Sequence, residues 1–110
     1  MEKGHTSNRT YYDISKRFPA VIEAVEKLGT TVREMGPLDE KNSHLVQLAA
    51  AAATKSEGSV HSHTRRALKA GASREEIYHT LLLLISTVGF PQVMAAISWC
   101  RDILEGEGGE

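Results

Sequence analysis

The sequence predicts an all-α protein of one domain with about five to six helices, and three observations carry that prediction. Apolar residues recur at intervals of three and four, as at Val21, Ile22, Val25 and Leu28, which is the spacing that lines up one side of a helix. No stretch alternates apolar and polar residues strictly enough for a half-buried strand. Gly, Pro and capping residues divide the chain into lengths typical of helices. At 110 residues the chain suits a single core. Its 5% aromatic content, with plentiful Ala and Leu, implies small aliphatic helix contacts rather than a large aromatic pocket.

The elements follow in order. Residues 1–9 are expected to be flexible, and Tyr11 to Arg17 to form a short helical turn. Pro19 is placed to open the next helix, which runs to about Met35 and turns Val21, Ile22, Val25 and Leu28 toward a buried stripe before Gly36 and Pro37 end it. Asp39 is a natural N-cap for a helix from Glu40 to about Lys55, whose alanine run Ala49 to Ala53 lets helix backbones approach closely. A helix beginning near Ser56 stops at Gly71, a glycine in the usual C-terminal capping position. Ser73 and Glu76 form a capping box that opens a helix from Arg74 to about Val88. Gly89 closes that helix and Pro91 starts the last one, which carries Met94, Ala95, Ile97, Trp99 and Ile103. Residues 106–110 are expected to be a flexible tail. No internal repeat is evident.

Charge and composition exclude several classes of function. A net charge of −1 and a pI near 6.5 give no attraction to a phosphate backbone or an acidic lipid surface, so neither nucleic acid nor membrane is an expected partner. From Ile77 to Cys100 there is no Asp, Glu, Lys or Arg. Gly89, Phe90 and Pro91 cut that stretch in two, and each half is too short to span a bilayer. Two largely buried helices with a subunit interface are expected there instead. Cys100 is the only cysteine, so no intrachain disulfide forms, and no secretory leader pattern opens the chain. A cytoplasmic location is the expectation.

The chemistry concentrates between Ser56 and Ile77. Ser56, Ser59 and His63 are three and then four residues apart, which places two hydroxyls and an imidazole on one helical stripe. In spacing this segment resembles the carboxymuconolactone decarboxylase family, the superfamily that includes the alkylhydroperoxidase D proteins. The redox branch of that family carries two cysteines separated by two residues, a histidine four residues beyond the second, and an Ala-Leu-x-x-Gly-Ala helix end. Ser56 and Ser59 stand where the cysteines would be, His63 matches the histidine, and Ala67, Leu68, Gly71 and Ala72 match the helix end. The resemblance implies an alkylhydroperoxidase D-like helical fold and a homo-oligomer, commonly a homotrimer or homohexamer.

Serine has no accessible anion near neutral pH and no oxygen counterpart of a disulfide, so the dithiol cycle of the redox branch lacks its essential groups. The decarboxylase branch also lacks the cysteine pair yet keeps the histidine matched by His63. His63 is therefore read as a general acid or base acting on a small organic acid or lactone, with Ser59 one turn away to orient it. A hydrogen-bonded core histidine is the alternative. His44 occupies the place of a glutamate that assists proton transfer in the redox branch; a histidine still relays protons but does not reproduce a carboxylate's charge.

Ser56, Glu57, His61 and His79 are possible supporting residues. Glu57 and His61 are four apart on the face roughly opposite the Ser56, Ser59 and His63 stripe, and suit either a surface ion pair or a contribution to a site completed by a neighbouring subunit. His79 lies in the uncharged stretch, where its ring needs a partner such as His44 or His63. No metal is expected, because His61 and His63 point about 200° apart on a helix whereas zinc ligands on helices favour i,i+4 spacing. No cofactor is expected either. A Ser59, His63 and Glu57 triad fails because Glu57 is on the wrong face. Cys100 beside Trp99 is read as a packing residue.

Three classes of function remain from the sequence: a cofactor-free acid/base lyase, a peroxiredoxin-type alkyl hydroperoxide reductase in which Ser56 and Ser59 replace the redox cysteines, and an oligomeric binding protein without catalysis.

Overall fold

The computed structural model describes residues 5–107. Residues 1–4 and 108–110, within the ends expected to be flexible, lie outside the described residues. The described chain holds six α-helices and no strand: α1 His5–Arg17, α2 Pro19–Glu34, α3 Glu40–Ala53, α4 Glu57–Lys69, α5 Arg74–Leu82 and α6 Phe90–Arg101, with a π-helical turn over Asp102–Glu107. The all-α expectation is met. The chain divides into two compact units, one up to Asp39 and one from Glu40 onward.

The first unit is the α1–α2 pair. Helix α1 begins at His5, well before the short turn expected from Tyr11. Phe18 joins the helices, its N–H donating to the Ile14 carbonyl at 2.7 Å, and Pro19 supplies the fixed φ of a first helical turn. The Tyr11 hydroxyl donates to Glu26 across the pair. The buried stripe expected on α2 is not buried: no residue of this helix falls in the buried class, and Val21, Val25 and Leu28 are 58–63% exposed. Periodicity states that one side of a helix is apolar and not what covers it, so it did not determine what the stripe would meet.

The second unit holds the core. Leu48, Ala51 and Ala52 of α3, Val60 and Ala67 of α4, Ile77 and Leu81 of α5, and Val93, Ala96 and Cys100 of α6 make one buried cluster closed by Leu104. Alanines at the α3 contact allow the close approach anticipated from the alanine run. Helix α4 stops where Gly71 takes φ +104°, a left-handed conformation that side chains resist. The Ser73 capping box is present in both directions: the Glu76 N–H donates to Ser73 Oγ at 3.0 Å, and the Ser73 N–H donates to Glu76 Oε1 at 2.9 Å.

Helix α5 is shorter than the sequence suggests. It ends at Leu82 rather than Val88, and three-residue turns follow, with Leu84, Ile85 and Thr87 donating to Leu81, Leu82 and Leu84 at 3.0–3.1 Å. Ile85, Thr87 and Val88 are β-branched and Ser86 competes for backbone hydrogen bonds, so this run propagates an α-helix poorly. At the C-terminal end of α6 the chain widens into the π-helical turn over Asp102–Glu107, which takes in the first two residues of the expected flexible tail. Arg74 Nη1 donates to the Leu104 carbonyl at 2.9 Å and ties that turn to the start of α5.

Candidate functional site

The site residues sit on α3 and α4, which pack side by side within the second unit. His44 projects from α3 among Leu48, Ala51 and Ala52, the buried residues of its face. It is 3% exposed. His63 lies on α4 and is half-buried. Their Nδ1 atoms are 3.4 Å apart and the ring centroids 5.5 Å apart, with the ring planes tilted by 36°. For two neutral rings this contact requires that one Nδ1 carry the proton and the other accept it. The pair therefore holds one shared proton position between a buried and a solvent-reachable imidazole.

The outer atom of the buried ring is also near a carboxylate: His44 Nε2 is 4.0 Å from Glu40 Oε2, one helical turn earlier. At that distance the interaction is electrostatic rather than a hydrogen bond. Gln47, one turn after His44 on α3, has a buried Oε1 without a hydrogen-bond donor among the described residues. An orphaned buried acceptor is costly.

Ser59 lies on α4 with His63, whereas Ser56, expected on the same helical stripe, stands just before the helix. Ser56 is the N-cap of α4, with φ −101° and ψ 93°, and its side chain makes no capping hydrogen bond. Ser59 is exposed in the first turn of the same helix. His79 is exposed on α5 and takes no part in the His44–His63 contact, so the cluster suggested for it does not form.

The opposite face of α4 carries a second arrangement. His61, suggested as a surface residue, is buried to 3% exposure; its Nε2 is 3.0 Å from Asp102 Oδ2 and 3.9 Å from Glu57 Oε2. Helix α4 is covered on this face by α6 and the turn after it, which removes His61 from solvent. Asp102 is the participant that sequence reasoning missed. It lies 41 residues from His61, and nothing local in the sequence links the two.

Cys100 fills the core. Its Sγ is 3.1 Å from Thr64 Oγ1, and burial pushes the thiol up to about 11. A buried thiol with so little thiolate is inert to peroxide, so the lone cysteine does not stand in for the missing pair.

The sequence profile of the carboxymuconolactone decarboxylase family matches residues 19–102. The chain belongs to that family. It is 32% identical to the uncharacterized protein MJ1511 of Methanocaldococcus jannaschii, across 82% of this chain and 84% of the relative. It is 34% identical to an uncharacterized protein of Haemophilus influenzae, covering 59% of the length of each. Among solved structures it is similar to apo-lpg0406, a carboxymuconolactone decarboxylase family protein from Legionella pneumophila, with a TM-score of 0.80 and 24% identity over 94% of this chain and 93% of that one. A family protein from Thermotoga maritima, TM1620, superimposes with a TM-score of 0.71 and 23% identity over 99% and 97% of the two chains. These likenesses show the family fold. Within it the chain lacks a redox cysteine pair: its single cysteine is the buried Cys100.

Proposed function

We propose that this protein is a cofactor-free acid/base enzyme of the carboxymuconolactone decarboxylase family, a lyase for a small organic acid or lactone in which His63 moves the proton. The observation that carries this reading is the 3.4 Å contact between His44 and His63 Nδ1. When the His63 Nδ1–H donates to His44, the His63 Nε2 lone pair is the base. Uptake of a substrate proton at Nε2 then lets the Nδ1 proton pass to His44, where the Glu40 carboxylate stabilises the charge. Reversal returns the proton to the carbanion or enolate left when carbon dioxide departs. The net change is one proton relayed through two rings, and neither metal nor organic cofactor is needed for it. Ser59 hydrogen-bonds a substrate oxygen from the same side of α4.

Self-association accompanies this reading. Val21, Val25 and Leu28 on α2, and Leu82, Leu83 and Phe90 in the uncharged stretch, are 45–63% exposed, which supports assembly of copies into a homotrimer or homohexamer.

The test is a panel of small lactone acids and β-keto acids assayed for carbon dioxide release, with the histidine rings followed by NMR across pH. Turnover should fall by about 10²–10⁴-fold in His63→Gln, and the His63 titration curve should change in His44→Gln because the rings share a proton. Unchanged turnover in His63→Gln, or a His63 titration indifferent to His44, would sink the proposal in favour of a binding role.

A further inference from the structure

On the face of α4 opposite His63, Glu57, His61 and Asp102 bring three donor atoms within 4.8 Å of one another. We propose that these three residues bind a divalent first-row transition ion, a site separate from the acid/base pair.

The donor set has the chemistry for it. An imidazole nitrogen with two carboxylate oxygens suits zinc, manganese or ferrous iron, and leaves positions for water. Glu57 and His61 are one helical turn apart, the i,i+4 relation in which two side chains of one helix reach the same ion. Spacing of this kind is absent from the His61 and His63 pair, on which metal binding had been discounted. Asp102 completes the set from the first residue of the π-helical turn, so the ligands come from two elements and do not form a surface acidic run. The nitrogen is held in place: His61 is 3% exposed, and its Nε2 is the atom both carboxylates approach, at 3.0 and 3.9 Å.

Two of the three donors already stand at the spacing of ligands to one ion. Bonds of about 2.0–2.2 Å to one ion place neighbouring donors about 3 Å apart, as His61 and Asp102 already are. Glu57 Oε2 is 3.9 Å from His61 Nε2, with the three donor atoms spread within 4.8 Å, so Glu57 must rotate its side chain to close the set. It is free to make that movement, because the Glu57 and Asp102 side chains are 37% and 34% exposed, and this exposure also opens the site to hydrated ions. In the ion-free arrangement a single ring N–H serves one carboxylate at hydrogen-bond distance and leaves the other beyond it. An ion in place of that proton satisfies both carboxylates at once and offsets their mutual repulsion.

The experiment is calorimetric titration of chelator-treated full-length protein with Zn²⁺ and, separately, Mn²⁺, with helicity of every variant checked by circular dichroism. One ion per chain is expected. Glu57→Gln and Asp102→Asn, both at partly exposed positions that the core tolerates, should each weaken binding by about tenfold or more. His61→Gln should abolish it, and His63→Gln on the other face should leave it unchanged. Absence of binding at millimolar ion overturns the proposal, as does equal affinity in Glu57→Gln and Asp102→Asn. Loss of binding in His63→Gln overturns it too, since the ion would then belong to the histidine pair.

Discussion

One residue separates His61 from His63, and that interval divides the chemistry of α4. On a helix it turns the rings to opposite faces, one toward His44 on α3 and the other toward Asp102 beyond α6. The placement of Ser59 and His63 on one helix was legible because they are four residues apart, whereas Ser56 stands just before α4 in extended backbone. His44 was legible only through its register with the motif, and its burial was not. The serines bear on function most directly, since a thiol pair there would make a redox centre. Cysteines placed at Ser56 and Ser59 would occupy the N-cap and the first turn of α4, a spacing suited to a reversible disulfide. In the double variant Ser56→Cys/Ser59→Cys, peroxide should produce one intrachain disulfide, while Cys100, with its thiol pushed up to about 11 by burial, stays reduced. Mass spectrometry after alkylation reads both outcomes; no disulfide on peroxide treatment would detach this scaffold from the chemistry of the redox branch.

The capping box at the start of α5 is the clearest sequence signal to be met in full, because both of its hydrogen bonds are local. Ser73→Ala should cost about 1 kcal/mol in urea unfolding, and an unchanged midpoint would show that α5 is held by packing alone. Glu76 does more than cap. The Ser73 backbone N–H, with Lys41 Nζ at 3.0 Å, holds its carboxyl below the ordinary 4.5. A depressed carboxylate stabilises the fold above its unfolded value, and the contribution disappears as pH falls through the lower folded one. The stability difference between the parent and Glu76→Gln should therefore be present at pH 7 and shrink below about pH 4.5. A difference that is constant with acidification would refute the assignment. Helix lengths were less legible than helix starts: α5 stops six residues early in a β-branched run, and α6 passes into a π-helical turn that no composition marks.

Over the whole molecule, apolar surface is distributed unevenly. The unit from Glu40 onward encloses a core in which Leu48, Val60, Ile77, Leu81 and Cys100 are fully buried, whereas α2 exposes Val25 at 60% and Leu28 at 63%. Among the described residues no helix is long and apolar enough to cross a membrane. If copies of the chain provide the cover, Val25→Asp should shift the sedimentation coefficient to a smaller species with helicity retained. A monomeric parent, or a variant that sediments as the parent does, would refute it.

Periodicity, capping residues and the Ser56–Ala72 spacing were enough by themselves to determine the all-α class, most helix starts and the family, because each depends on residues within a few turns of one another. Three matters waited for tertiary structure. His44 and His63 come into contact across two helices, Asp102 reaches His61 from 41 residues away, and the apolar stripe of α2 stays exposed. An amphipathic pattern states that one face is apolar without stating what covers it, and a side-chain cluster drawn from distant segments depends on how helices pack. That packing is settled by the fit of core volumes across the chain, to which no local pattern gives access.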